Sequence, residues 1–151
     1  MMDLNNIQIK IDQYPQELKL LILLSGTSGE NQILPADQHP WEGLDWERFI
    51  RLMTGHKLTS LVFPHISRIK DHIPHQHFQK IKDLNYRYTR RALAQISETI
   101  HLQRILEDNN IPAIFFKGVV LSQRVYNDAS LKNSIDIDLL IPPGQGERAA
   151  A

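Results

Sequence analysis

Hydrophobic residues recur every three or four positions through most of the first two thirds of the chain, which is the spacing of one face of an α-helix. The longest such segment begins at Pro74 and runs to about Asn109. Its apolar face consists of Phe78, Ile81, Leu84, Tyr88, Ala92, Ile96 and Ile100. This spacing predicts one long amphipathic helix.

Shorter helices are predicted before it. Residues 15–24 fit one helix, and Asp45 is a suitable N-cap for a second. Residues 58–69 fit a third, which contains Pro64, a residue that can bend a helix. We therefore predict that residues 1–108 form a helical region.

The pattern changes after the long helix. Residues 113–116 are a short apolar run, and Lys117 and Gly118 follow directly. A segment with irregular helical spacing leads to residues 134–141, where polar and apolar side chains alternate as in a β-strand. This order predicts a strand, a tight turn, a short helix and a second strand. We interpret residues 109–151 as an α/β region.

Asp136 and Asp138 are the main candidates for chemistry. On a strand their side chains would share one face, roughly 7 Å apart at Cα. Ile135, Ile137 and Leu139 would then point into a core. Paired carboxylates repel unless a cation lies between them, and Mg²⁺ is bound by one or two carboxylates together with waters and phosphates. The alternative is a strand end with two solvated acids.

The turn at Lys117 and Gly118 could hold a phosphate. Glycine at a strand-to-helix turn lets backbone N–H groups approach a ligand closely, and a helix N-terminus favours anions. Lys117 would add a positive charge there. The two features together predict a phosphate cradle beside a metal site.

These segments resemble a known family. Residues 116–121 and 132–141 are similar to the uncharacterised nucleotidyltransferase family of the polymerase-β-like superfamily, which has a Leu-Lys-Gly turn, a helix and an Arg-x-x-Gly-Asp-Ile-Asp-Leu-Leu-Val strand. Residues 45–48 and 56–58 also resemble its N-terminal helical region. The similarity covers roughly residues 40–142.

The resemblance implies an α+β fold, in which an N-terminal helical bundle precedes the first strands of a polymerase-β-like nucleotidyltransferase fold. It implies that Asp136 and Asp138 are the catalytic, metal-binding pair and that the cofactor is Mg²⁺ or Mn²⁺. It also implies nucleotide binding by Lys117, Gly118 and Lys132. The expected reaction is the transfer of a nucleotidyl group from a nucleoside triphosphate to a hydroxyl acceptor of unknown identity.

The sequence departs from the family pattern at several points. Lys132 stands where the family has arginine, so the charge is kept but the fork that binds phosphate is lost. Ile135 replaces a glycine, and its side chain could narrow the approach of the nucleotide. The superfamily uses a third carboxylate on a later strand, whereas the only acid after Asp138 is Glu147.

Family members continue well beyond the strand that carries the two aspartates, so the missing third carboxylate predicts a C-terminally truncated family member. The alternative function is therefore a non-catalytic relative that serves as a nucleotide-binding or protein-interaction module. A third interpretation is a structural helical domain with an unrelated pair of aspartates. Truncation would leave an unpaired sheet edge, which predicts self-association.

Composition narrows the remaining possibilities. The 151 residues include 17 basic and 17 acidic side chains, and this balance argues against a broad nucleic-acid-binding surface. There is no cysteine, which excludes thiolate chemistry. The longest apolar run, residues 20–24, is far too short for a membrane span, and no signal peptide is evident at the N-terminus. We therefore predict a cytoplasmic protein.

Two other clusters have weaker interpretations. A zinc site is conceivable where four histidines lie close in sequence, but a solvated loop is the better interpretation. These histidines are His65, His72, His75 and His77. Residues 86–91 alternate aromatic and basic side chains, as in proteins that bind nucleic acid, but on a helix they would spread around its circumference.

Overall fold

A computed structural model describes residues 13–26, 41–132 and 134–150. Within these ranges the chain is mostly helical and has one small antiparallel sheet, which confirms the predicted α+β class. In chain order the elements are α1 (Gln16–Ser25), α2 (Trp46–Gly55), α3 (Thr59–Arg68), α4 (His75–Asp108), β1 (Ile114–Phe115), α5 (Gly118–Tyr126), β2 (Leu139–Leu140) and α6 (Gly146–Ala150). None of the helices in the described ranges is both long and apolar enough to cross a membrane.

The predicted helices are present with small changes in their bounds. The Asp45 side chain accepts a hydrogen bond from the Arg48 backbone N–H at 2.9 Å, which confirms it as the N-cap of α2. Pro64 lies within α3, and Pro74 directly precedes α4. Pro74 is tolerated because the first N–H groups of a helix have no intrahelical partner, whereas Pro64, the sixth residue of α3, leaves the Ser60 carbonyl without its intrahelical N–H donor.

The hydrophobic core lies among α1, α2, α3 and the first part of α4. Phe49 is completely buried, and its ring meets that of Trp46 edge-to-face, with 5.7 Å between the ring centroids. The large hydrophobic residues with almost no exposed surface are Leu20, Leu21, Phe49, Met53, Val62, Ile66 and Ile81. On the surface, Lys80 of α4 donates a hydrogen bond to Glu47 of α2 at 2.8 Å, and this bond lowers the pKa of the Glu47 carboxyl.

The buried positions of α4 lie on one face along the helix. Ile81 and Ala92 are buried, as predicted, and Thr99 and Leu106, which were not predicted, are buried as well. Ile100, predicted to be on the apolar face, is 45% exposed. At about 100° per residue, Ala92, Thr99 and Leu106 all lie within about 20° of Ile81, whereas repeated steps of four residues place Ile100 about 100° away. In the second half of the helix the buried face points toward the α/β region.

The small sheet pairs Ile114 with Leu140 and Phe115 with Leu139. The predicted second strand, residues 134–141, is therefore too long, because only two of its residues are paired. Its partner strand is limited to two residues by Pro112 before it and by the start of α5 after it. The prediction that Ile135 points into a core is wrong, since this residue is 75% exposed. Asp136 and Asp138 thus lie in an irregular segment just before β2. The Asp138 carbonyl oxygen accepts the hydrogen bond from Phe116 that lies next to the paired residues.

Candidate functional site

A small surface cleft lies between the start of α5 and the segment that precedes β2. It contains Asp136, Asp138, Lys117 and Gly118, so four of the five predicted site residues come together. Its complete lining is Gln95, Thr99, Phe115, Lys117, Gly118, Val119, Val120, Asp136, Ile137 and Asp138. We call it the aspartate cleft. Its free space is about that of a single water molecule, so it can receive an ion while a larger ligand lies outside.

Gly118 is required by the geometry of the turn. Its φ angle is +58°, in the left-handed region that residues other than glycine rarely adopt. A Cβ at this position would lie 3.3 Å from Cβ and 3.4 Å from Oγ of Ser134. The first residue of α5 therefore packs directly against the segment that carries the aspartates.

Lys117 and Asp138 form a loose ion pair. The distance from Lys117 Nζ to Asp138 Oδ1 is 3.5 Å, and the side chains are 58% and 27% exposed. Nζ also lies 5.2 Å from the centre of the Phe116 ring. The Phe116 backbone N–H donates to the Asp138 carbonyl oxygen at 3.4 Å, which ties the two strands at this point. An exposed pair of this kind contributes about 0–1 kcal/mol, so a cation or a phosphate can displace it at little cost.

Asp136 is held mainly through its backbone. The Ser134 hydroxyl donates to the Asp136 carbonyl oxygen at 3.0 Å and lies 3.4 Å from carboxylate Oδ1. Gln95 Nε2 of α4 lies 3.5 Å from the same carbonyl oxygen, which makes this a weak contact. Over the described residues the Asp136 carboxylate has no ion-pair partner. Lys117 thus compensates the charge of the Asp138 carboxylate, whereas the charge of Asp136 is uncompensated within the described residues.

The donor set of the cleft fits a hard divalent cation. Mg²⁺ takes one or two carboxylates from a protein and completes its shell with water and phosphate oxygens. Two aspartates at an open cleft meet that requirement. Across residues 13–26, 41–132 and 134–150, no group of three or more histidines or acids is close enough together to hold a metal. The four neighbouring histidines considered for zinc therefore form no such group within these ranges.

One wall of the cleft was not predicted. Gln95 and Thr99 of α4 line it, and Thr99 is buried with its hydroxyl donating to the Gln95 carbonyl oxygen at 2.8 Å. The available signal was their position, since Thr99 is seven residues from both Ala92 and Leu106. Polar side chains in the buried stripe of a helix indicate a functional or structural contact rather than a solvated face.

Ser122 was also missed, although it organises the loop after α5. Its hydroxyl is completely buried, donates to the Asp128 carbonyl oxygen at 2.7 Å and accepts from the Lys132 backbone N–H at 3.0 Å. One side chain therefore fixes both ends of the segment that leads to the aspartates.

Replacing Ser122 with alanine should lower the free energy of unfolding by about 1–3 kcal/mol, because two backbone groups lose their hydrogen-bond partner. Urea unfolding would measure the change. Ser97→Ala on the exposed surface of α4 is the matched control and should change little. Equal stabilities of the two variants would show that the buried hydroxyl does not hold the loop.

Lys132 lies apart from the other predicted site residues. It lines a second cleft near the opposite end of α5, together with His56, Lys57, Leu58, Leu61, Tyr126 and Leu131. It is absent from the lining of the aspartate cleft. Its predicted contact with the nucleotide therefore stays a prediction.

Comparison with known proteins identifies the family. A family model described as uncharacterised nucleotidyltransferase matches residues 42–151. The chain belongs to this family. The matched range contains every element from α2 to α6, so both clefts lie within the nucleotidyltransferase region. No curated protein and no solved structure matches the chain.

Proposed function

We propose that this nucleotidyltransferase-family protein binds a nucleoside triphosphate together with Mg²⁺ or Mn²⁺ and transfers the nucleotidyl group to a hydroxyl acceptor. The observation that carries the proposal is the position of the turn at Lys117 and Gly118, which lies against Asp136 and Asp138 in one cleft. The turn favours phosphate and the two aspartates favour a divalent cation, so their adjacent positions suit the binding of a metal–triphosphate complex.

Each residue has a distinct role in this proposal. Asp136 and Asp138 would hold the cation, which when bound neutralises charge on phosphate oxygens and on the acceptor oxygen. The first N–H groups of α5 have no partner within the helix and would donate to the triphosphate. Lys117 would exchange its loose contact with Asp138 for a phosphate oxygen, keeping its positive charge in the cleft.

A second candidate is nucleotide binding without transfer. The ion pair between Lys117 and Asp138 favours it, because lysine already neutralises one carboxylate of the pair. In that case the chain would be a binding or interaction module of the same family.

Isothermal calorimetry tests the binding step. Each of the four common ribonucleoside triphosphates would be titrated with Mg²⁺ and again with EDTA. We expect at least one to bind about tenfold more tightly with Mg²⁺, because a metal bridge between carboxylates and phosphates is worth more than about 1.4 kcal/mol.

The double variant Asp136→Asn, Asp138→Asn should lose this metal dependence, because neutral amides cannot replace the charges. Asp71→Asn with Asp108→Asn is the matched control, since both of these aspartates are exposed and lie outside the cleft. The same metal dependence in the site variant and the control would exclude a metal role for the pair. Metal-dependent release of pyrophosphate would then separate transfer from binding alone.

A further inference from the structure

The second cleft, which we call the lysine cleft, is wider than the aspartate cleft and has a different chemistry. Its polar side chains are those of Lys57, Lys132, His56 and Tyr126, and no acid is among its lining residues in the described part of the chain. Neither lysine forms an ion pair within the described part of the chain. In a protein with equal numbers of acidic and basic residues, a cleft with two uncompensated lysines favours an anion.

The backbone of Lys57 supports a role for its side chain. Lys57 is the second residue after α2, and its φ angle is +58°. Its N–H donates to the Thr54 carbonyl oxygen at 3.0 Å, and the Leu58 N–H donates to the Met53 carbonyl oxygen at 2.9 Å. This is the helix end at which glycine is the usual residue, because a side chain in this conformation costs roughly 1–2 kcal/mol. The other non-glycine residues with positive φ in the described ranges are Asn110 and Asn127, of the type that tolerates it.

A different contact, a hydrogen bond to its backbone, positions Lys132. The buried Ser122 hydroxyl accepts from its backbone N–H at 3.0 Å and so fixes the point from which its side chain extends. Leu58, Leu61 and Leu131 add a partly buried apolar wall. The cleft therefore offers two positive charges beside an apolar surface.

We propose that the lysine cleft binds the phosphate group of a small molecule between Lys57 and Lys132. Binding there needs no metal, because the lining contains no carboxylate. It is separate from the aspartate cleft, since Gly118 and Tyr126 mark opposite ends of α5, about 12 Å apart along the helix axis. The proposal does not depend on nucleotidyl transfer.

Inorganic phosphate, titrated in EDTA and followed by the amide NMR signals of the folded chain, tests this site. Signals of residues 56–58 and 131–132 should shift most. Lys57→Gly and Lys132→Gln should each weaken binding by about fivefold, as expected for one exposed charge contact. Lys82→Gln is the control, because Lys82 is exposed on α4 outside both clefts.

Lys57→Gly has a second readout that separates binding from folding. Glycine relieves the left-handed backbone, so this variant should melt at a higher temperature while it binds phosphate less well. Unchanged phosphate affinity in both lysine variants, or shifts confined to residues 117–118, would overturn the proposal. Asp136→Asn with Asp138→Asn should leave phosphate binding unchanged, which keeps this test independent of the metal site.

Two sources of the phosphate can be distinguished by competition. If a metal–nucleotide complex and inorganic phosphate bind together without affecting each other, the lysine cleft receives a separate phosphate-bearing molecule. If the nucleotide displaces phosphate and Lys57→Gly weakens the nucleotide as well, the cleft receives the nucleotide's own phosphates. Both results support an anion site between the two lysines.

Discussion

Replacing Gly118 with alanine is expected to weaken metal-dependent nucleotide binding by at least about tenfold and to lower the free energy of unfolding by about 1–2 kcal/mol. The left-handed backbone accounts for the loss of stability. The loss of binding follows from the contact with Ser134, because a Cβ would lie 3.3 Å from the Ser134 Cβ and push the start of α5 away from the aspartates. Calorimetry and urea unfolding would measure the two effects on the same sample.

Two other glycines separate these effects. Gly144 also has a positive φ, +84°, but no atom of the described residues lies within 4 Å of its Cβ position, so Gly144→Ala should lose stability and keep binding. Gly55, at the end of α2, has no positive φ and no described atom within 4 Å of its Cβ position, so Gly55→Ala should keep binding and lose no stability. If Gly118→Ala and Gly144→Ala bind nucleotide equally well, close packing at the turn is not needed for the site.

Replacing Phe49 with alanine should lower the free energy of unfolding by about 3–5 kcal/mol, which is the usual effect of removing a buried aromatic ring. Phe49 is completely buried in the helical bundle and contacts Trp46 edge-to-face. Since folded domains are stable by only about 5–15 kcal/mol, much of the stability would be lost. Urea unfolding gives the change directly.

Tyr86→Ala is the matched control, because this aromatic side chain is 63% exposed on α4. It should change the free energy of unfolding by less than about 0.5 kcal/mol. A Phe49→Ala variant as stable as Tyr86→Ala would mean that α1, α2 and α3 do not depend on the packing of this ring.

The helices were predictable because each carries its own signals. Asp45 is a cap that acts on the residues just after it, and Pro74 marks the start of α4 through its own backbone. The central part of the aspartate cleft was predictable for a similar reason, since Lys117 and Gly118 are close in sequence to Asp136 and Asp138. The strand at residues 134–141 was overestimated, because its paired length depends on a partner that contributes only two residues.

Contacts between distant segments were not predictable. Gln95 and Thr99 line the cleft because the buried face of α4 continues past the bundle to the α/β region. The same is true of Lys132 and Lys57, which are far apart in sequence and line one cleft. The two lysines give no sequence signal of such a meeting, because lysines at these positions are equally typical of a solvated surface.

Helix α4 is continuous and therefore connects the helical bundle rigidly to the wall of the aspartate cleft. Ile81 is fixed in the core, and Thr99 lies about 27 Å further along the axis. A tilt of about 5° around Ile81 would therefore move the cleft wall by about 2 Å. A fragment beginning at residue 109 would keep the turn and both aspartates but lose this wall, so shortening the protein at that point would separate the acids from the surface that frames them.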